Sequence, residues 1–369
     1  MIYILTAFSN IKTGLSFEYG ALPICAAFYF LITLPQSKIW IEAILILVGI
    51  ICLISGGLFL NIDAFKELIF ISYLITGIRL IKNEIVNERI IKISIMFWVL
   101  IGLLEYIPSL YEIKAALMTK SLQPNVVRGG SSLATEPSYF ALSIGCLMIM
   151  QLTVRGYAKL SFQNGAIYLI SFLLTKSTMS LLFLPLLLFS TKKSYIFLVF
   201  IPIIVIYHWE QFSSSRYIRI FLVLLENRYN GGVFTDASAG SRLLYIIKDI
   251  QISSGSFFLP NGPGTYEPVM KLKNGASFVS EQAITEYDFS MSGSLIGRFL
   301  VNYGFMFILG WVYFLFYLLR KCKVPGLVTW ITVSAVGMQM ISLVSPIFPL
   351  MLGSLLFYVT RSYNNTHES

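Results

Sequence analysis

Residues suited to hold an anion or to handle a hydroxyl group cluster in a few places along this chain. Val127 to Gly145 reads VRGGSSLATEPSYFALSIG, a polar stretch with Arg128, a glycine pair and Glu136-Pro137-Ser138 ahead of an apolar run. A charged, proline-broken patch at the lip of a membrane helix is costly to keep, which marks it as a candidate for function. Ser238-Ala239-Gly240-Ser241-Arg242 opens an amphipathic stretch in which Leu243, Leu244, Ile246, Ile247 and Ile250 recur at helical spacing. Ser238 or Ser241 suits the cap of that helix, and its N-terminus with Arg242 in the first turn would form an anion site. Pro260-Asn261-Gly262-Pro263-Gly264 is a turn of residues that permit unusual backbone angles. Carboxylates follow in Glu281 and in Glu286-Tyr287-Asp288, and then Arg298 stands one turn inside the next helix. A cation at that position is expected to face a cavity or a partner.

Each group also has a plainer reading. Arg128 and Arg298 suit side chains that reach lipid headgroups, and Arg242 suits a solvated arginine on an interfacial helix. Glu136 suits a carboxylate favouring the dipole of the helix that begins near Ser138. The PNGPG turn also serves as simple structure, and Glu286 with Asp288 as a solvated pair. Two carboxylates are a thin basis for a divalent ion. The two histidines, His208 and His367, have no metal-binding partners at credible spacing. Walker, GxGxxG, GxSxG and HExxH motifs are absent. The four cysteines lack CxxC spacing and read as small apolar packing residues. No metal and no cofactor is expected.

The elements that must carry these residues are apolar helices. Of 369 residues, 56% are hydrophobic and 12% charged, against about 25% charged in soluble domains. Runs such as Ile39–Leu60 and Leu295–Leu319 approach the ~20 residues that cross a bilayer. The fold class expected is therefore an all-α polytopic integral membrane protein with about 11 transmembrane helices (10–12). They are placed near 19–34, 39–60, 64–81, 90–107, 138–154, 164–176, 178–190, 194–208, 295–319, 325–343 and 346–360. Residues 1–369 form a single membrane domain, with long connections at 108–137 and 209–294, the second carrying short interfacial helices. The net charge of +9 sits in short connections at 79–92, 155–159, 192–193 and 320–323, the positive-inside pattern rather than a surface for nucleic acid. Dividing 164–190 at Thr175-Lys176-Ser177 puts all four basic connections on one side and both long connections on the other. The first residues lack the pattern of a cleaved signal peptide.

Arg128-Gly129-Gly130 followed by Glu136-Pro137-Ser138-Tyr139-Phe140-Ala141 resembles the outer-loop motif of Wzy-type O-antigen and capsule repeat-unit polymerases, which are related to the O-antigen ligases. The resemblance extends, in order, over roughly residues 120–320. It takes in the helix pair broken at Thr175-Lys176-Ser177-Thr178-Met179-Ser180, the large loop with Arg242 ahead of Gly262-Pro263-Gly264, and the Gly304-Phe305-Met306-Phe307 helix after it. The related ligases usually carry a histidine late in the large loop, where this chain has Asp288-Phe289-Ser290-Met291.

The resemblance implies a multi-helix glycosyltransferase of the GT-C type in a bacterial inner membrane, active at the periplasmic face. It would polymerise undecaprenyl-pyrophosphate-linked oligosaccharide repeat units without a metal, with lipid-linked glycan as both donor and acceptor. A flippase and a chain-length regulator would accompany it. Breaking the donor bond releases a pyrophosphate anion, a good leaving group, which arginines can bind bidentately and stabilise. Arg128 and Arg242 suit that role, with Arg298 after them. The acceptor hydroxyl needs a base or an oriented acceptor; Glu136 is the first candidate and Asp288 the second. Ser138, Tyr139, Gly262, Gly264, Tyr266 and Arg298 are the candidate substrate-binding residues, with tyrosines suited to stack on sugar rings. A lipid-linked oligosaccharide flippase or transporter, and an O-antigen ligase, are the alternatives.

Overall fold

The computed structural model describes residues 21–36, 40–59, 61–107, 112, 137–175, 177–197, 247–266, 268–269, 294–338 and 346–365. Every extended regular element among them is helical. In chain order these are α1 (Ala21–Thr33), α2 (Trp40–Phe59), α3 (Ile62–Lys82), α4 (Glu88–Leu104), α5 (Pro137–Val154), α6 (Phe162–Thr175) and α7 (Thr178–Ser190). A helix over 247–255, α8, follows. The last two are α9 (Leu295–Gly337) and α10 (Ile347–Asn365).

Polar residues set several of the boundaries. Asn61 caps α3 by accepting from the amides of Asp63 and Ala64, Asn87 caps α4 and Ser294 caps α9. The polar triplet between α6 and α7 ends one helix and starts the next: Thr175 Oγ1 accepts from the Ser177 amide, and Ser177 Oγ accepts from the Met179 amide. The expected helix at 194–208 lies mostly outside the described residues.

The expected division between helices at 295–319 and 325–343 is present: α9 (Leu295–Gly337) doubles back at Lys323, which takes φ +53, and Trp311 Nε1 donates to Ser334 Oγ at 3.0 Å across the turn. A second break, at Gly304, differs from the sequence expectation. The break at Gly304 leaves a short first segment, 295–303, ahead of the longer ones. Gly304 takes φ +55 and lies so close to the Phe258 carbonyl that a Cβ would overlap it. The Phe305 amide, released from the helical ladder, donates to that carbonyl at 2.7 Å.

α3, α5 and α10 form the centre of the molecule. Residues 70–80 and 140–153 are buried all round, as helices apolar on every face should be. α3 packs most extensively on α10, α2 and α1; α5 lies among α10, α6, α7 and α4; α9 packs on α7. The α3–α10 contact is a backbone approach. A Cβ on Gly353 would overlap the Leu74 carbonyl oxygen and lie 3.1 Å from Gly77 Cα. Gly353→Ala is therefore expected to cost about 1–3 kcal/mol, the range for overpacking a core. Thermal unfolding in detergent checks this; an unchanged midpoint would refute the close approach.

The outer helices are apolar on their outward faces. Leu47, Ile50, Leu53 and Ile54 of α2, Met96 and Leu100 of α4, and Met306, Leu309 and Phe316 of α9 are all exposed. α2 and α9 are each long and apolar enough to cross a membrane.

The four basic connections come together. Arg155 pairs with Glu88 at 2.7 Å, and Leu160 bridges Thr191. Tyr157 lies 5.4 Å from the Tyr358 ring, and the Lys321 ammonium donates to the Tyr358 carbonyl. Connections 79–92, 155–159, 191–193 and 320–323 thus meet at one end of the bundle. The start of α3 lies at the other end, and the candidate site forms around it.

Candidate functional site

The site is built where the head of α3, the turn 258–266, α8 and the first segment of α9 converge. Asn61 caps α3, and its Nδ2 donates to the Gly264 carbonyl at 2.9 Å. Gly264 takes φ +70, and a Cβ there would sit 2.6 Å from the Ala64 amide; only glycine fits. The turn is fastened to α9 as well. The Gly262 amide donates to the Asn302 carbonyl at 2.9 Å, Asn261 Nδ2 donates to the Val301 carbonyl at 2.7 Å, and Thr265 Oγ1 donates to Asn302 Oδ1 at 3.3 Å.

Glu67, one turn into α3, is fully buried and would be costly there without donors. It has them from two directions. Oε1 accepts from the Gly264 amide at 3.1 Å and from Asn302 Nδ2, and Oε2 accepts from the Tyr303 hydroxyl at 2.6 Å. Cys52 of α2 adds a 3.6 Å contact between its Sγ and that hydroxyl. Glu67 therefore pins the PNGPG turn and α9 to α3.

Arg298 is the cation of the site and is only 4% exposed. Its Nη1 lies 3.5 Å from Asp63 Oδ1, with Lys66 holding the same oxygen at 2.7 Å. Its guanidinium carbon stands 4.9 Å above the Tyr266 ring, a cation–π geometry. Among the described residues Nη1 has no hydrogen-bond partner beyond the long ion pair with Asp63, and buried donors are nearly always satisfied.

Beneath Tyr266 lies Asp249 of α8, fully buried. Its Oδ1 accepts from the Tyr266 hydroxyl at 2.8 Å and its Oδ2 from the Ser294 hydroxyl at 3.4 Å. Burial pushes its carboxyl up to about 7, against the opposing pull of those two hydrogen bonds and the Arg298 and Lys248 charges. Burial likewise lowers the Lys248 ammonium.

The structure brings Gly262, Gly264, Tyr266 and Arg298 into this one cluster. Tyr266 corrects an expectation: its ring is fully buried with Arg298 over one face, so it serves Arg298 rather than offering an open face to a sugar. Ser138 and Tyr139 stand half-buried at the head of α5, with Tyr139 against the main core. Arg128, Glu136, Arg242 and Asp288 lie outside the described residues.

Asp63, Glu67, Asp249, Ser294, Asn302 and Tyr303 are not among the candidates read from the sequence. Some signals for them existed. Asp63 and Glu67 fall four apart on one helical face, Asn302 is an amide inside an apolar run, and Ser294 stands at a helix start. Asp249 carried none, because its partners come from 17 and 45 residues away. No family model matches this chain, and no curated protein does.

Proposed function

We propose that this chain is a multi-pass membrane glycosyltransferase that polymerises undecaprenyl-pyrophosphate-linked repeat units at the periplasmic face of a bacterial inner membrane. The observation that carries the reading is Arg298: a buried guanidinium on the first segment of α9, braced by Asp63 and Tyr266, whose Nη1 has no hydrogen-bond partner among the described residues. A guanidinium suits a lipid pyrophosphate because its planar fork matches phosphate oxygens and stabilises charge that grows on the leaving group.

Three further observations support it. The exposed apolar faces of α2, α4 and α9 would be a liability in water and are what lipid requires. α3 carries charge at both ends, Asp63, Lys66 and Glu67 at one and Arg79 and Lys82 at the other, with an uncharged run over 68–78 between them. The basic connections gather at the end of the bundle opposite Arg298, which under the positive-inside rule puts Arg298 outside.

In the reaction, the acceptor hydroxyl oxygen attacks the anomeric carbon of the donor glycan. The bond from that carbon to the pyrophosphate oxygen breaks, and the lipid pyrophosphate leaves with the electron pair. Arg128, Arg242 and Arg298 hold the pyrophosphate, while Glu136 or Asp288 takes the hydroxyl proton. Ser138, Tyr139 and the Gly262–Gly264 turn line the substrate path.

The test is the purified chain in proteoliposomes supplied with undecaprenyl-pyrophosphate-linked repeat units, with product length read on a gel. Oligomers of increasing length are expected from wild type, with a loss on the order of 10²–10³-fold in the Arg128→Ala and Arg242→Ala variants. Units that never lengthen under wild type would refute the polymerase, and wild-type ladders from both variants would refute their roles.

A further inference from the structure

We infer that Asp249 is a positioning residue: through Tyr266 and Ser294 it fixes the head of α9 and so aims Arg298 at its anion. The inference rests on the reading of Arg298 as an anion-binding group. It stands on a chain of contacts that the reaction scheme does not use. Tyr266 donates to Asp249 Oδ1 and lays its ring beneath the Arg298 guanidinium. Ser294 donates to Asp249 Oδ2 while accepting from the Gly297 amide at 2.8 Å, which makes the Asp249 partner also the cap of α9. Gly297 lies flush against the carboxylate, where a Cβ would overlap Oδ2. One fully buried carboxylate thus controls both the platform under Arg298 and the helix start that carries it.

The arrangement is a titrating one. Among the described residues, the charged and titratable groups around Asp249 are Lys248 on its own helix, Tyr266 on the turn and Arg298 on α9. The two cations and the two hydroxyl donors favour the carboxylate form, and burial opposes it, so the carboxyl stands at about 7. The ionised form is the one that accepts from both hydroxyls and attracts Arg298. Protonation makes Asp249 itself a donor and loosens Tyr266. The sign for stability is opposite: the folded carboxyl stands above its unfolded value of 3.8. The stability it contributes is therefore present at low pH and is lost as pH rises through about 7. Asp249 is therefore most useful to Arg298 in the pH range where it stabilises the fold least.

The experiment measures binding of inorganic pyrophosphate to the full chain in detergent at pH 6 and pH 8. Each variant is expressed as a ratio to wild type at the same pH, so that the probe's own titration cancels. Asp249→Asn, which resembles the neutral acid, is expected to weaken binding at pH 8 by on the order of tenfold, the effect of one charge-assisted hydrogen bond. At pH 6 the gap should close to about twofold or less, because wild type is then largely protonated as well. A ratio near one at both pH values, or an equal loss at both, would overturn the inference. So would the absence of pyrophosphate binding to wild type.

If Asp249→Asn does not accumulate, Tyr266→Phe decides. It keeps the ring under Arg298 and removes only the hydroxyl that favours the carboxylate, so the acidic loss of binding should move to higher pH. An unmoved pH profile would overturn the inference. Pyrophosphate binding with this pH signature, in a chain that forms no polymer, would refute the polymerase and leave the role of Asp249 in place.

Discussion

Arg298→Ala is expected to lower polymer formation on the order of 10²–10³-fold, the effect of removing a preorganised donor from developing charge. Membrane levels of the protein should stay near wild type. The reason lies in its surroundings: Asp63, its ionic partner, keeps Lys66 at 2.7 Å, and Tyr266 keeps its hydrogen bond to Asp249. Arg298→Lys retains the charge but loses the planar fork that sits over Tyr266 and presents Nη1, so it should remain impaired. Rates of elongation in proteoliposomes, normalised to protein level, check both. Full rescue by lysine would reduce the role of Arg298 to net charge, and a wild-type rate from the alanine variant would remove it from the site.

Gly297→Ala is expected to be among the most destabilising single substitutions in the chain, at about 3 kcal/mol, the upper end of the overpacking range. A Cβ there would overlap both Oδ2 and Cγ of Asp249 and lie 2.7 Å from Ser294 Oγ. Neither neighbour has room to move, because Asp249 is fully buried and Ser294 nearly so. The methyl must therefore push α8 away from α9 and break the hydrogen bonds that support Tyr266. Activity should fall with stability. Gly310→Ala is the control: a Cβ at Gly310 meets nothing within 4 Å, and replacing a helical glycine there should be neutral or stabilising by about 0.5–1 kcal/mol. Thermal unfolding of the two variants side by side checks the pair, and equal midpoints would contradict the packing described for the head of α9.

These two residues also show how far the sequence could be read. Arg298 was legible because a cation one turn inside an apolar run is conspicuous on its own. The helix ends near 60, 83, 154 and 190 were legible for the same local reason: caps, basic residues and polar triplets interrupt hydrophobic runs. The division at Thr175-Lys176-Ser177, argued from charge placement alone, agrees with the way Leu160 meets Thr191 and Arg155 meets Glu88. The partners of Arg298 were less legible. Asp63 precedes it by more than two hundred residues, and Glu67 looks like an ordinary helix-end acid until Gly264 and Asn302 reach it. The break at Gly304 is hidden for a related reason. An isolated glycine in an apolar run is compatible with an unbroken helix, and the Phe258 carbonyl that occupies the space beside it belongs to another segment. Gly262 and Gly264 were picked out for their freedom of backbone angle, and φ values of +101 and +70 bear that out.

The most direct test of the account is deletion of the gene in its host, with complementation, read as surface polysaccharide on a silver-stained gel. The account predicts that the ladder collapses to core plus a single repeat unit, and that wild type restores it while Arg298→Ala does not. Loss of every repeat with lipid-linked polymer accumulating would make the chain a ligase. Single lipid-linked units held on the cytoplasmic side would make it a flippase. An unchanged ladder in the deletion strain would contradict the polymerase assignment altogether.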